Sequence, residues 1–107
     1  MGTLCVNNVK RYVRDMILSY ASKATAQLAV GRVVPEFEAI AKVARRKLRQ
    51  LDLATDLADL LIPPGNRLEK LHGDREGQMS IRVNRRWRIC FIWTDLGPVQ
   101  VELVDYH

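Results

Sequence analysis

The chain has few cysteines and no long apolar run, and each of these absences excludes some classes of protein. Only Cys5 and Cys90 occur among its 107 residues. Two cysteines so far apart match no metal-ligand spacing and are too few for a disulfide framework, so a reduced, cytoplasmic protein is expected. No apolar stretch has membrane-spanning length, and none of secretory length follows the basic residues near the N-terminus. We therefore predict neither a membrane segment nor an export signal.

Acidic residues are fewer than basic ones. Seventeen Lys and Arg against 12 Asp and Glu leave a formal net charge of +5. This balance favours an acidic partner, with nucleic acid first, although many basic proteins bind nothing anionic. The length suffices for one domain with a modest core.

The first half of the sequence has helical patterns. Residues 16–20 (MILSY) read as a short strand, and Ser22 and Gly31 bracket a first, short helix as its N-cap and its stop. Pro35 begins a second helix whose apolar stripe runs to Leu51. Four cations lie away from that stripe: Lys42, Arg45, Arg46 and Arg49.

After Asn66 the spacing of apolar residues changes from a period of 3.6 residues, typical of a helix, to a period of 2, typical of a strand. The segments RLEKL, MSIRVN, WRICFIW and VQVELVDYH are typical of strands, with a tight hairpin at residues 84–86. Helices followed by strands predict an α+β domain, in which two N-terminal helices pack on one face of a mainly antiparallel sheet of three to five strands.

Arginines gather on the predicted sheet face that the helices leave uncovered. Alternation places Arg82 and Arg88 there on adjacent strands, with Arg75 in the loop before them. Arg67 and Lys70 lie on the preceding strand, where alternation puts them on opposite faces. Taken singly, each arginine fits the solvated face of an antiparallel sheet. As a cluster they supply forked donors suited to phosphate.

The chain closes on Asp105, Tyr106 and His107. A lone terminal histidine is usually a solvated end, but tyrosine and histidine both stack on bases, and histidine transfers protons near neutral pH. The other histidine is His72. Together with the arginines, two histidines could form an acid–base pair for RNA cleavage, which composition permits but does not establish.

The segment PPGNRLEKLHGDREGQMSIRVNRRWRICFIW and the terminal VDYH resemble the HigB group of toxins, within the RelE/ParE superfamily of type II toxin–antitoxin systems. The resemblance runs from Met16 to His107. We therefore expect a single RelE-like toxin domain over 16–107. Residues 1–15, which the family pattern does not need, would be an extension, either an added helix or the product of a misassigned start.

The resemblance implies an endoribonuclease that cuts mRNA in the ribosomal A site by attack of the 2′-hydroxyl on the neighbouring phosphate, without metal or cofactor. It also implies a HigA-type helix-turn-helix antitoxin as partner, and we expect the free toxin to be monomeric. Its catalytic residues would be His107, Tyr106, Asp105, Arg88 and His72. Contacts to RNA would come from Arg67, Lys70, Arg75, Arg82, Arg85 and Arg86.

Some HigB toxins have lysine at the position of His72. A histidine supplies a proton donor there, but not the permanent cation that lysine supplies. Two other functions stay open. A ParE-like toxin would poison DNA gyrase without nuclease chemistry, and a degenerate toxin would only bind its antitoxin.

Overall fold

The computed structural model describes residues 16–106 of the chain. Within them, two α-helices precede four strands, so the predicted α+β class is confirmed. The helices are α1 (Lys23–Ala29) and α2 (Ala41–Leu53), and the strands are β1 (Glu69–Lys70), β2 (Met79–Arg82), β3 (Trp87–Thr94) and β4 (Gly97–Asp105). The predicted extension over residues 1–15 and the terminal His107 lie outside the described residues.

The helices begin close to where the sequence places them. The Ser22 hydroxyl caps α1 by accepting from the Thr25 N–H at 3.2 Å, and Gly31 ends the turn at φ +93°. The second helix starts at Pro35 as predicted, but residues Pro35–Ile40 form a 3₁₀-helix before α2 continues. The Phe37 N–H there donates to the carbonyl of Val34, only three residues back.

The four strands form one antiparallel sheet in the order β1-β2-β3-β4. The predicted hairpin between β2 and β3 is confirmed, and the Asn84 side-chain oxygen closes it by accepting from the N–H groups of Arg86 and Trp87, both at 2.8 Å. In β4 a bulge sets two residues opposite Phe91, with Gln100 at φ +53°. This bulge sets the register in which residues 102–105 pair with β3.

Two predicted strands differ in extent from those observed. Residues 16–20 make only a parallel bridge between Tyr20 and Val101, with flanking hydrogen bonds such as that from the Leu18 N–H to the Pro98 carbonyl. This segment lines the outer edge of β4 without becoming a regular strand. In the RLEKL segment only Glu69 and Lys70 form strand β1, and beyond them the Leu71 N–H donates to the Gln78 carbonyl at 2.9 Å. The strand begins late because Arg67 has a left-handed backbone that ends the preceding turn.

The core lies between the helices and one face of the sheet. Leu28 of α1 and Leu48 of α2 pack there with Ile89 and Phe91 of β3, and Trp87 meets Phe37 edge to face at 5.5 Å. None of the helices between residues 16 and 106 has the length and apolar content to cross a membrane.

A buried hydrogen bond ties α1 to the strand that leads to the C-terminus. The Thr25 hydroxyl, which is 0% exposed, accepts from the Leu103 N–H at 3.0 Å. Water cannot reach this N–H, so the Thr25 hydroxyl is its only hydrogen-bond acceptor in the described part of the chain.

We expect Thr25→Val to lower the free energy of unfolding by about 1–3 kcal/mol, since a nearly isosteric change leaves the Leu103 N–H buried without an acceptor. Urea unfolding followed by circular dichroism measures this. Thr25→Ser, which keeps the hydroxyl, is the control. Equal stability of the two variants would contradict the assignment.

Candidate active site

A cleft of about 240 Å³ lies at the ends of β2 and β3, on the sheet face away from the helices. Four arginines line it together with an acid, an amide and a phenol: Arg67, Arg82, Arg85, Arg88, Glu69, Asn84 and Tyr106. Five of these seven were predicted from the sequence. We call this site the arginine cleft.

Two arginines of the cleft face each other directly across the strands. Arg82 of β2 is the paired neighbour of Arg88 of β3. Like charges at such a position repel and destabilise the sheet. The Nε of Arg82 donates to the Asn84 carbonyl at 3.1 Å, which holds it within the hairpin. A phosphate between the two guanidinium groups would remove the repulsion, so the pair favours an anionic ligand.

Arg88 is the most firmly held cation of the cleft. Its side chain is only 12% exposed. Its Nε donates to the Ser80 hydroxyl at 2.7 Å, and its Nη2 donates to the Arg67 carbonyl at 2.7 Å and lies 3.5 Å from a Glu69 carboxylate oxygen. No residue between 16 and 106 accepts a hydrogen bond from Nη1. The two N–H groups of Nη1 therefore remain for a ligand.

The residue before Arg67 is anchored to α2. Asn66 is 0% exposed, and its amide donates to Gln50 and to the Leu60 carbonyl, both at 3.1 Å, while its oxygen accepts from the Lys47 ammonium. The pKa of Lys47 is lowered, first by burial and then by the charge of Arg46. Arg67 follows at φ +45°, an uncommon conformation for a residue with a side chain.

The centre of this sheet face is buried, although alternation predicted a solvated face. Ser80 and Cys90 are both 0% exposed and Leu71 is 5% exposed. The Arg88 side chain lies against this centre, since its Nε donates to the Ser80 hydroxyl. The pKa of Cys90 is raised, mainly by burial and also by the charge of Glu102, against the opposing influence of Arg75 and Arg88.

Several residues predicted from the sequence, two RNA contacts and one catalytic histidine, lie outside the arginine cleft. Lys70 pairs with Met79, so it lies on the face of the sheet that the helices cover, whereas Arg88 lies on the opposite face. Arg75 donates to Gln78 at 3.1 Å and lies 3.4 Å from Glu102. His72 is exposed at the start of the 3₁₀ turn Gly73–Arg75 and is not among the residues that line the cleft.

The C-terminal residues are only partly brought to the cleft. Tyr106 lines it and is 39% exposed. Asp105 instead forms a two-pronged ion pair with Arg86, including a contact of 3.3 Å to Nε. The hydrogen bond and charge of Asp105 raise the pKa of Arg86. His107, immediately after Tyr106, lies outside the described residues.

Three residues of the site were not singled out from the sequence. Glu69 and Asn84 line the cleft, and Ser80 lies beneath it. The alternation that selected Arg82 also places Ser80 on the same face, which was the available signal. Among residues 16–106, no group of three or more His, Cys, Asp or Glu side chains is placed to hold a metal ion.

Comparison with a solved structure agrees with the architecture. A chain of the YoeB–YefM complex from Staphylococcus aureus matches with a TM-score of 0.55, covering 85% of this chain and 97% of that one at 20% sequence identity. At this identity the match shows the fold alone. The protein is thus of the same small α+β class, here with an arginine cleft on its open sheet face.

The sequence identifies the family. The family of HigB-like toxins, described as RelE-like toxins of the type II toxin–antitoxin system HigB, matches residues 32–107, and the chain belongs to it. Toxin HigB-1 of Vibrio cholerae serotype O1 is 47% identical over 76 residues, 71% of this chain and 77% of that protein. Endoribonuclease HigB of Proteus vulgaris is 36% identical over 64 residues, 57% of this chain and 65% of that protein.

We expect Cys90 to be unreactive in the folded protein, because burial raises its pKa and excludes reagents. In a Cys5→Ser variant, labelling by a chromogenic disulfide near neutral pH should be roughly two orders of magnitude or more slower when folded than in denaturant. Similar rates in both states would contradict the buried centre of this face.

Proposed function

We propose that this type II toxin is an endoribonuclease that cuts mRNA in the arginine cleft. The opposed pair of Arg82 and Arg88 carries the proposal, because it concentrates positive charge where a phosphate would sit. The similarity to the Proteus vulgaris endoribonuclease supports the same activity. The proposed substrate is mRNA in the ribosomal A site.

The reaction requires two proton transfers and stabilisation of charge. The 2′-hydroxyl of one nucleotide loses its proton and attacks the adjacent phosphorus, the bond to the 5′-oxygen breaks, and that oxygen gains a proton. The products are a 2′,3′-cyclic phosphate and a free 5′-hydroxyl. Negative charge builds on the non-bridging oxygens, and the N–H groups of Arg88 Nη1 are available to bind them.

Side chains around Arg88 have complementary proposed roles. His107 acts as the general acid or base, because imidazole exchanges protons near neutral pH. Tyr106 stacks on or orients a base, and its position in the cleft wall supports this. Asp105 positions the end of the chain through its ion pair with Arg86. Arg67, Arg82 and Arg85 bind the backbone phosphates.

Other predicted contacts belong to a wider footprint. Lys70, Arg75 and Arg86 lie outside the cleft wall, and we assign to them contacts with flanking mRNA or ribosomal RNA. His72 also lies outside the cleft wall, and its proposed role stays that of a catalytic proton donor. The proposed protein partner is a HigA-type antitoxin with a helix-turn-helix. The domain that carries these functions spans residues 16–107 in this proposal.

We expect His107→Ala to slow mRNA cleavage on programmed ribosomes by about 10²–10⁴-fold, the loss usual for a general acid or base. Arg88→Ala should slow it by about 10²–10³-fold, the loss usual for a donor that stabilises developing charge. Primer extension maps the cuts and gives their rates. Arg32→Ala, an exposed arginine between the two helices, is the matched control.

The outcome separates the candidate functions. If the wild type cuts nothing with ribosomes present yet inhibits DNA supercoiling by gyrase, the toxin is ParE-like. If it does neither and still binds its antitoxin, the chain is a degenerate toxin. Wild-type cleavage that survives in His107→Ala would remove the last residue from the mechanism.

His72 gives a separate test of the proposed proton donors. We expect His72→Ala to slow mRNA cleavage by about 10²-fold or more, the lower end of the loss usual for a general acid or base. His72→Lys, which introduces the residue that some HigB toxins have at this position, should keep more activity than His72→Ala. Equal rates for the wild type and His72→Ala would remove His72 from the mechanism.

A further inference from the structure

We propose that Ser80 is a positioning residue that holds the Arg88 guanidinium in the orientation the cleft requires. The proposal deepens the nuclease function and rests on it for the effect on cleavage, whereas the effect on Arg88 itself can be measured without any activity.

Ser80 occupies the middle of the sheet, directly paired with Glu69 of β1 and with Cys90 of β3. It is 0% exposed, and its hydroxyl oxygen accepts from the Nε of Arg88 at 2.7 Å. A buried hydroxyl without a partner is costly, so this bond satisfies Ser80 as well as orienting Arg88.

Two anchors fix the plane of the guanidinium. Ser80 holds Nε, and the Arg67 carbonyl holds Nη2 at 2.7 Å. With both bonds made, the planar group has one orientation, and Nη1 is the nitrogen left for phosphate. With the Ser80 bond lost, the carbonyl alone fixes a single nitrogen, and the group can pivot about it.

The charges around Arg88 give that pivot a direction. Arg82 is its paired neighbour on β2 and repels it, while a Glu69 carboxylate oxygen on β1 lies 3.5 Å from Nη2 and attracts it. Without the Ser80 hydroxyl, both forces move the guanidinium from Arg82 towards Glu69. The phosphate site between the two arginines then loses one of its donors.

The test is a double-mutant cycle on Ser80 and Arg88. Ser80→Ala should lower the single-turnover cleavage rate at saturating toxin by about 10- to 100-fold, as misplaced catalytic groups do. The toxin concentration at half saturation should change much less. In an Arg88→Ala background the same substitution should cost less than about twofold, because its target is gone. An undiminished loss in that background would overturn the proposal.

A measurement on Arg88 separates this inference from the nuclease function. In ¹⁵N spectra the Nε–H of Arg88 should exchange slowly with water in the wild type and at least about tenfold faster in Ser80→Ala, since its buried acceptor is gone. Unchanged exchange would overturn the positioning role. Faster exchange in a protein that cuts no RNA would leave positioning intact and overturn the nuclease function instead.

Ser80→Thr keeps the hydroxyl and serves as the conservative variant. It should restore slow exchange of the Nε–H and most of the cleavage rate relative to Ser80→Ala. If its extra methyl prevents folding, the comparison of wild type with Ser80→Ala, whose change only removes an oxygen, still decides the matter. Urea unfolding of each variant identifies a loss of fold.

Discussion

Strand β3 has a neighbour on each of its edges, so its side chains must alternate between two faces with opposite demands. Ile89 and Phe91 go to the core beneath the helices, while Arg88 and Cys90 go to the other face. Removing one residue from β3 would exchange these sets and bury the arginine among leucines. The strand Trp87–Thr94 therefore contributes to both the core and the arginine cleft, and its register serves both.

The two strands beside β3 are each fixed by a different part of the molecule. β4 is tied to α1 by the hydrogen bond between Thr25 and Leu103, and its bulge sets the register of the residues that follow. β2 carries Ser80 beneath Arg88 and ends at the hairpin closed by Asn84. The arginine cleft lies where these separately fixed strands end, which explains how a small protein holds several cations in close proximity.

Much of this arrangement follows from periodicity in the sequence. The change from a period of 3.6 to a period of 2 after Asn66 predicts helices before strands, and alternation places Arg82 and Arg88 on one open face. The hairpin at residues 84–86 is equally local. These features depend on neighbours within a few residues, and sequence patterns record such neighbours.

Features that depend on distant contacts were not predictable in the same way. Lys70 is assigned to the helix side only by its pairing with Met79, and the burial of Cys90, which is 0% exposed, was not predicted by alternation. The 3₁₀ start of the second helix and the short β1 also differ from the pattern. The ion pair of Arg86 with Asp105 joins residues 19 apart in sequence, which no period encodes.

The buried Asn66 connects the arginine cleft to α2, a helix that contributes no residue to the cleft wall. Its side chain is hydrogen-bonded to Lys47 and Gln50 of α2, and the carbonyl of the next residue, Arg67, accepts a hydrogen bond from Arg88. Helix α2 and Arg88 are thus connected through two consecutive residues, Asn66 and Arg67. The orientation of Arg88 therefore depends on contacts with α2, although α2 contributes no residue to the wall of the cleft.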